Sequence, residues 1–522
     1  MNTGSSDYDV AIIGAGLAGM TLALQLRQQN PELSLAVIER DSLPPPIAAH
    51  KVGESTVEIG AHYLSDTLGL GDMLEEAHLR KFGLRLFFGA SNSPDLAKAD
   101  ELGASRLLPA ISYQIDRGRL EGDVAGLLQS RNVDVIDNSK ASISSINGNG
   151  SLHHLKVRSA DAERDISARW LVDAGSRTAS IKRKLDIGAP STHRICAAWF
   201  RIDQSIMVDD WSESESWQAR CRRPRWYSTN HLMGAGYWVW IIPLSGGRTS
   251  IGLVADPEIH PLSNYDSYEK LCAWLQQHQP RLAGALRDSD GELMDFKALR
   301  NLARDSRQVW SRDRWATTGE AGIFTDPFYS PGSDFIGIGN TFISDLIRRD
   351  LADDQFRQHV AVYQQMYLSF SASTLSLYKN LYPGFGDTRL MVAKTTWDYA
   401  YYWSVLSWLF VRGVMTDIRF LNSIQPRLVA LRDLNQRMQS AFRERAALQI
   451  VDQGRGRFFD QAAIPILYDL NAGLLDQVSD LQGEFDRNAA RLEAVAPELL
   501  ALLHDESGKG HSELLGDLRQ RF

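Results

Sequence analysis

The segment GAGLAG places Gly14, Gly16 and Gly19 at the spacing with which a main chain wraps a pyrophosphate. Gly14 permits a tight turn, Gly16 lets the backbone approach the phosphates, and Gly19 permits close packing of helix on strand. An apolar run, YDVAII, leads into these glycines and a helical pattern, LAGMTLALQLRQQ, leads out of them. The next apolar run, LSLAVIER, ends at Glu39 and Arg40. A carboxylate at that place can accept hydrogen bonds from an adenosine ribose, and the helix N-terminus adds donors and partial positive charge for the phosphates. The chemistry these residues can do together is dinucleotide binding.

Two later segments favour FAD over NAD as the dinucleotide. LVDAGSR (171–177) is a strand ending in Asp173 and a turn of small residues. TTGEAGIFTDP (317–327), with Gly319 and Glu320, is a second such turn late in the chain. A flavin lying across a domain needs distant chain segments to reach its adenine, ribitol and ring.

The elements that must position these residues follow from pattern. The start is a βαβ unit. A proline-rich stretch, LPPPIAAHKVGEST, leads to a helix near Thr56–Thr67, and FGLRLFFG (82–89) reads as a strand. YQIDRGRLEGDVAGLLQ (113–129) is a loop entering an amphipathic helix, followed by the short strands VDVID, SISSIN and HHLKVRS and the buried strand ARWLVDAG. Residues 193–255 are strand-like and aromatic, and the glycine-rich stretch 314–340 opens a helix near Thr341. Beyond it helical patterning dominates. The expected fold is α/β: a Rossmann-like FAD-binding domain of glutathione-reductase type over 1–345, an interleaved β-sheet substrate region (about 80–112 and 193–300), and a mainly α-helical C-terminal region over 346–522.

Composition bounds the partners. The chain has 522 residues, is 44% hydrophobic and has a formal charge of −8. An acidic balance argues against nucleic acid, which wants a basic face. One local exception is the arginine cluster Arg220, Arg222, Arg223 and Arg225, readable as a solvated loop or as a dock for an acidic carrier protein or anionic substrate. The three cysteines, Cys196, Cys221 and Cys272, are scattered, which suggests neither a disulfide framework nor a zinc site. No metal site is expected. The apolar stretch Ala400–Val414 is shorter than the roughly 20 residues of a membrane span and contains Arg412. The expectation is a cytoplasmic protein without a transmembrane segment.

Further motifs resemble the flavin-dependent halogenases, especially their phenol- and pyrrole-type branch, within the aromatic-hydroxylase-like flavoproteins. KVGEST resembles the family's GES segment near the flavin, with Lys51, Gly53, Glu54 and Ser55. WVWIIP supplies Trp238, Trp240, Ile242 and Pro243 of a WxWxIP pattern, and FTDPFYSPG supplies Phe324, Pro327, Ser330 and Gly332 of FxxPxxSxG. QIDRGRLEGDV resembles the flavin-contacting arginine segment, with Arg117 in that role. The resemblance implies that Trp238, Trp240 and Phe324 line a substrate chamber walled off from the flavin. Same-face tryptophans also serve as ordinary core.

Two departures bear on the chemistry. The family places a lysine on the strand after the GES helix, where it handles the hypohalous acid. Aligning strands puts Arg85 there, with Lys81 and Lys51 nearby in sequence. Arginine is planar, permanently charged and a poor nucleophile. The family also holds halide on the backbone N–H groups of the two residues after the motif serine, and here the first is Pro331, which has no N–H. Tyr329 stands where tryptophan-type members carry a glutamate.

The leading expectation is therefore an FAD-dependent monooxygenase of halogenase-like fold. It would use reduced FAD and O2 to oxygenate or oxidise a hydrophobic, aromatic or carrier-bound substrate, with Arg85, Tyr329 and Ser330 at the reacting centre. The alternative is a true halogenase of a phenol- or pyrrole-type substrate, with Arg85, or a lysine that the strand alignment displaces, in the lysine's role. A third is a non-catalytic flavoprotein. No separate NAD(P)H domain is recognisable, so a separate flavin reductase is expected as partner. The aromatic stretch 397–410 reads either as helix-packing core or as the wall of an apolar chamber.

Overall fold

Runs of branched apolar residues at Tyr8–Ile13, Leu35–Ile38 and the end of Glu163–Asp173 are buried on both faces and pair in parallel. They form the centre of a seven-stranded sheet in the computed structural model, which describes residues 7–48, 51–148 and 150–504. The order runs from Asp134–Ile136 through Leu35–Ile38, Tyr8–Ile13 and Glu163–Asp173 to the antiparallel strands His153–Arg158 and Lys140–Ser145. Trp315–Thr317 pairs in parallel with the end of Glu163–Asp173. The helix Leu17–Gln29 is buried at every position from Leu17 to Leu26, as expected of a crossover helix enclosed by other elements. Among the described residues, this Rossmann-like α/β unit comprises those within 7–76, 115–192 and 303–373.

The helix expected near Thr341 begins nine residues earlier, at Gly332, and runs to Leu351. Its glycines do not break it, because Gly339 packs against the Tyr367 ring, where an added Cβ would lie 3.5 Å from Tyr367. The start is set upstream: Ser330 takes a left-handed φ of +59° and Pro331 caps the helix.

Among the described residues, the second unit comprises 77–114, 193–302 and 374–504. The interleaved sheet and the C-terminal helices thus share a unit. Its eight strands lie in the order Leu293–Leu299, Cys196–Ile202, Arg248–Ala255, Tyr237–Leu244, Thr229–Gly234, Leu84–Phe88, Asp100–Gly103 and Phe458–Asp460. One face buries Phe200, Leu232, Val239, Ile241, Ile251 and Leu253 against Trp274 and Leu275 of the helix Tyr268–His278 and against Leu282. On the other face Trp238 Nε1 donates to Tyr382 Oη at 3.0 Å, and Thr388 Oγ1 donates to Asp100 at 3.3 Å.

The aromatic stretch 397–410 divides at Val405 into the helices Thr388–Ser404 and Leu406–Val411. Trp397, Trp403 and Trp408 are buried, and Trp397 Nε1 donates to Asn435 of the helix Ile418–Ala446 at 2.9 Å. These contacts are helix packing. Among the described residues no helix is long and apolar enough to cross a membrane.

Candidate active site and cofactor frame

The dinucleotide frame is built from the main chain. Gly14 has φ of +103°, and a Cβ there would meet the Ala174 carbonyl oxygen at 2.7 Å. A Cβ on Gly19 would lie 2.0 Å from the Gly14 oxygen, so this position admits only glycine. Gly16 faces open space. The Glu39 carboxylate accepts from the Ala15 N–H at 2.7 Å and the Asp41 N–H at 3.1 Å, which fastens the end of its strand to the glycine turn. Arg40 next to it is exposed and pairs with Asp41.

A charged cluster stands at the N-terminus of the first helix. Glu121, which the sequence reading did not single out, is buried and accepts from the Leu17 N–H at 3.2 Å. It pairs with Lys51 at 3.1 Å and with Arg117, whose Nη1 also donates to the Val52 carbonyl at 2.9 Å. Burial pushes the Glu121 carboxyl up, but Arg117 and Lys51 outweigh it and hold it below the ordinary range. Gly53 has φ of +86°, and a Cβ there would stand 3.3 Å from the Arg117 guanidinium. Glu54 and Ser55 are buried, and the Glu54 carbonyl accepts from Ile115 N–H at 2.7 Å.

The later turns return to the same frame. Asp173 is buried and accepts from the Gly175 and Ile181 N–H groups at 2.9 and 2.8 Å, while its own carbonyl receives Thr318 N–H at 3.0 Å. Gly319 has φ of +58° and sits so close to the first helix that a Cβ would lie 2.8 Å from that of Ala18. Glu320 accepts from Ser176 Oγ at 2.9 Å, with Arg177 at 3.8 Å. Asn340 joins these parts: it receives Thr318 Oγ1 at 2.7 Å and donates to the Ala18 carbonyl, Thr21 and Tyr63 at 3.0–3.1 Å. Long-range pairing of this kind leaves no local signal in a sequence.

In the motif loop, Phe324 exchanges both main-chain bonds with Arg304. Ser330 N–H donates to the Pro327 carbonyl at 2.9 Å, and Tyr329 is half-buried with its ring 4.8 Å from that of Phe328. Pro331 precedes the helix, the first helical bond runs from Phe335 N–H to the Pro331 carbonyl, and space is open around Gly332. The frame leaves room at Gly16 and Gly332 where a bound dinucleotide would need it, and Lys51, Arg117 and the first helix offer donors to an anion. These residues fit FAD.

In the second unit, strand register separates Arg85 from the tryptophans. Arg85 pairs with Asn230, Asn230 with Ile241, Ile241 with Ile251 and Ile251 with Phe200. Residues aligned across strands share a face, so Arg85 stands on the face of the Phe200–Ile251 core. Leu86, His231 and Trp240 form the adjacent row, which points the other way. Arg85 is wholly buried there against Glu101, donating also to Ser228 Oγ at 3.2 Å and the Ala104 carbonyl at 2.6 Å. Arg225 binds the same carboxylate at 2.8 and 3.1 Å and lies 3.6 Å over the Trp217 ring. The role expected of Arg85, to meet substrate within the tryptophan-lined chamber, needs the other face and a free guanidinium. The structure gives it neither. The basic loop is likewise partly structural, since Arg225 is internal and Arg220 donates to the Gly456 carbonyl at 3.0 Å.

A different cation bears on the row of His231 and Trp240. Lys81 precedes the Leu84–Phe88 strand, is buried, and has its N–H on the Ser112 carbonyl at 2.8 Å. Gly83, at φ of +69°, breaks the strand alternation between Lys81 and Arg85. The Lys81 charge bears on His231: burial first, and that charge second, push the imidazole well below its ordinary range. The His231 ring is 4.5 Å from Trp238, which is 5.7 Å from Trp240. Trp240 Nε1 donates to Ser250 at 3.2 Å, and its ring fills the space where Gly252 lacks a side chain. Among the described residues no cluster could hold a metal ion.

Comparison with known proteins agrees with this frame. A family model described as tryptophan halogenase matches residues 97–369, more than half of the 522, and one described as NAD(P)-binding Rossmann-like domain matches 12–77. The flavin-dependent halogenase chlA of Dictyostelium discoideum is 26% identical, over 76% of this chain and 70% of that protein. A 1H-pyrrole-2-carbonyl-[peptidyl-carrier protein] chlorinase of Pseudomonas fluorescens is 24% identical, over 62% and 72%. Among solved structures, the halogenase PltM with phloroglucinol and FAD superposes at a TM-score of 0.65 and 18% identity, covering 98% of this chain and 96% of that one. With a cofactor frame that fits FAD and a family model spanning more than half its length, the chain belongs to the tryptophan halogenase family of flavin-dependent halogenases and is an oxidoreductase of that type.

Proposed function

We propose that this enzyme is a true halogenase of an electron-rich phenol- or pyrrole-type ring, with Lys81 in the lysine's role. The observation that carries the reading is a contrast between two cations: Arg85 is locked to Glu101 on the core face of the sheet, whereas Lys81, just before that strand, is buried and its charge bears on His231 of the tryptophan row. On this reading the lysine's role passes from Arg85 to Lys81.

When bound, reduced FAD supplies the electrons with which O2 and halide become hypohalous acid. The Lys81 ammonium would give one proton to the hypohalous oxygen and take the halogen: an N–halogen bond forms, the O–halogen bond breaks, and the oxygen leaves as water. The ring substrate next accepts the halogen at carbon and loses its proton. Burial keeps bulk water from the N–halogen amine, and Trp238 and Trp240 are proposed as the apolar wall against which an aromatic ring is held. In the first unit, Tyr329, Ser330 and Phe324 are proposed as substrate-contacting residues, and Gly332 as a halide donor. A separate flavin reductase is proposed to deliver reduced FAD, and a carrier-bound ring remains within the proposed substrate class because pyrrolyl-carrier halogenases are among the relatives.

A second reading, oxygenation of the same class of ring, is favoured by Pro331 alone, which removes one halide donor. The test is mass analysis of products from phenol and pyrrole panels with reduced FAD, O2 and chloride or bromide. Halogenated product supports the first reading, and hydroxylated product alone the second.

A further inference from the structure

Lys182 carries a charge that none of the steps above uses. It lies on the short helix Ser180–Lys184 of the first unit and is buried. Its Nζ donates to the main-chain carbonyls of Gly322 and, at 3.3 Å, Asp305. Among the described residues no carboxylate pairs with it. The charged groups that bear on it are Arg304, Asp305 and Asp173. Burial, then Arg304, lower its ammonium to about 8. A buried ammonium with only carbonyl partners costs stability, so its presence calls for something that it holds.

What it holds is the second flavin turn. Gly322 and Ile323 N–H both donate to the Gly319 carbonyl, at 3.0 and 3.2 Å. Gly319 is in the left-handed region and pressed against Ala18 of the first helix. Phe324, next in the chain, is tied to Arg304 by two main-chain bonds. The Lys182 contact on the Gly322 carbonyl closes this turn from the side of the Asp305–Ser306 strand.

We propose that Lys182 is a positioning residue for the cofactor: its ammonium clamps the Gly319–Phe324 turn in the conformation that retains FAD.

The clamp and the fold respond to pH with opposite sign. The folded chain holds the Lys182 proton less tightly than the unfolded chain, so this group adds fold stability as pH rises from about 8 towards the unfolded value of about 10.4. The charge-assisted bonds weaken over the same window, because the ammonium is lost. A merely structural lysine would move both quantities together.

The test measures FAD dissociation constants by flavin fluorescence at pH 7 and 9.5, with apoprotein melting temperatures, for wild type, Lys182→Met and Lys182→Arg. Lys182→Met is expected to weaken FAD about tenfold at pH 7 without lowering the apoprotein melting temperature. Wild type is expected to lose affinity by several-fold between the two pH values, and both variants to lose less. The proposal is overturned if Lys182→Met stays within about twofold of wild type at pH 7. It is also overturned if Lys182→Met loses affinity and apoprotein stability together, or if Lys182→Arg follows the wild-type pH profile. Should Lys182→Met not fold, the Lys182→Arg profile decides.

Discussion

Arg85 and His231 stand on opposite faces of one sheet, although their strands are directly paired. Arg85 aligns with Asn230 and Ile241 in the core-facing row, and His231 aligns with Leu86 and Trp240 in the row facing away. Every assignment of chemistry in the second unit depends on which row a residue occupies.

Lys81→Met should abolish halogenation, by about 1000-fold or more, because a thioether cannot carry the halogen. Bound flavin and melting temperature should stay close to wild type. Product mass analysis and flavin absorbance on the same sample check this.

Arg85→Met should act on stability. Removing one guanidinium from a buried carboxylate is expected to cost about 3 kcal/mol. Arg225 stays on Glu101, so the fold should survive and activity per folded molecule should be retained. Urea unfolding and active-site-normalised rates check the two halves.

Glu121→Gln should remove an acid-sensitive contribution. A carboxyl held below its ordinary range stabilises the fold above the unfolded value of about 4.3 and loses that contribution as pH falls through the folded value. The wild-type advantage over Glu121→Gln in urea should therefore be full at pH 7 and shrink on acidification below about pH 4. The variant should also retain FAD less well, since Lys51 and Arg117 lose their common anchor.

Pro331→Thr should restore an N–H and place a good capping residue at the start of the Gly332–Leu351 helix. If halide is held there, half-saturating chloride should fall about fivefold. Unchanged chloride dependence would remove residues 331 and 332 from halide binding.

The cofactor frame was legible because its signals are local. Gly14, Gly16, Gly19 and Glu39 announce themselves by spacing, and the structure adds only that Gly19 has no room for a Cβ. The second unit was less legible. Counting along FGLRLFF selects Arg85, but a positive φ at Gly83 shifts the alternation, and Glu101 and Arg225 enclose the guanidinium from positions remote in sequence. Asn340 and Lys182 gave no signal because their partners lie on other elements, and Glu121, though it shares a helix with Arg117, meets Lys51 and Leu17 from remote segments. The Gly332 helix start was missed because Gly337 and Gly339 read as loop residues, whereas they are buried positions on a packed helix.

The most direct test of the central claim is the product mass from a responsive phenol or pyrrole substrate with reduced FAD, O2 and bromide, run with wild type, Lys81→Met and Arg85→Met. The expected result is a brominated product from wild type and from Arg85→Met and none from Lys81→Met. Bromination that survives in Lys81→Met, or hydroxylated product alone from wild type, would contradict it.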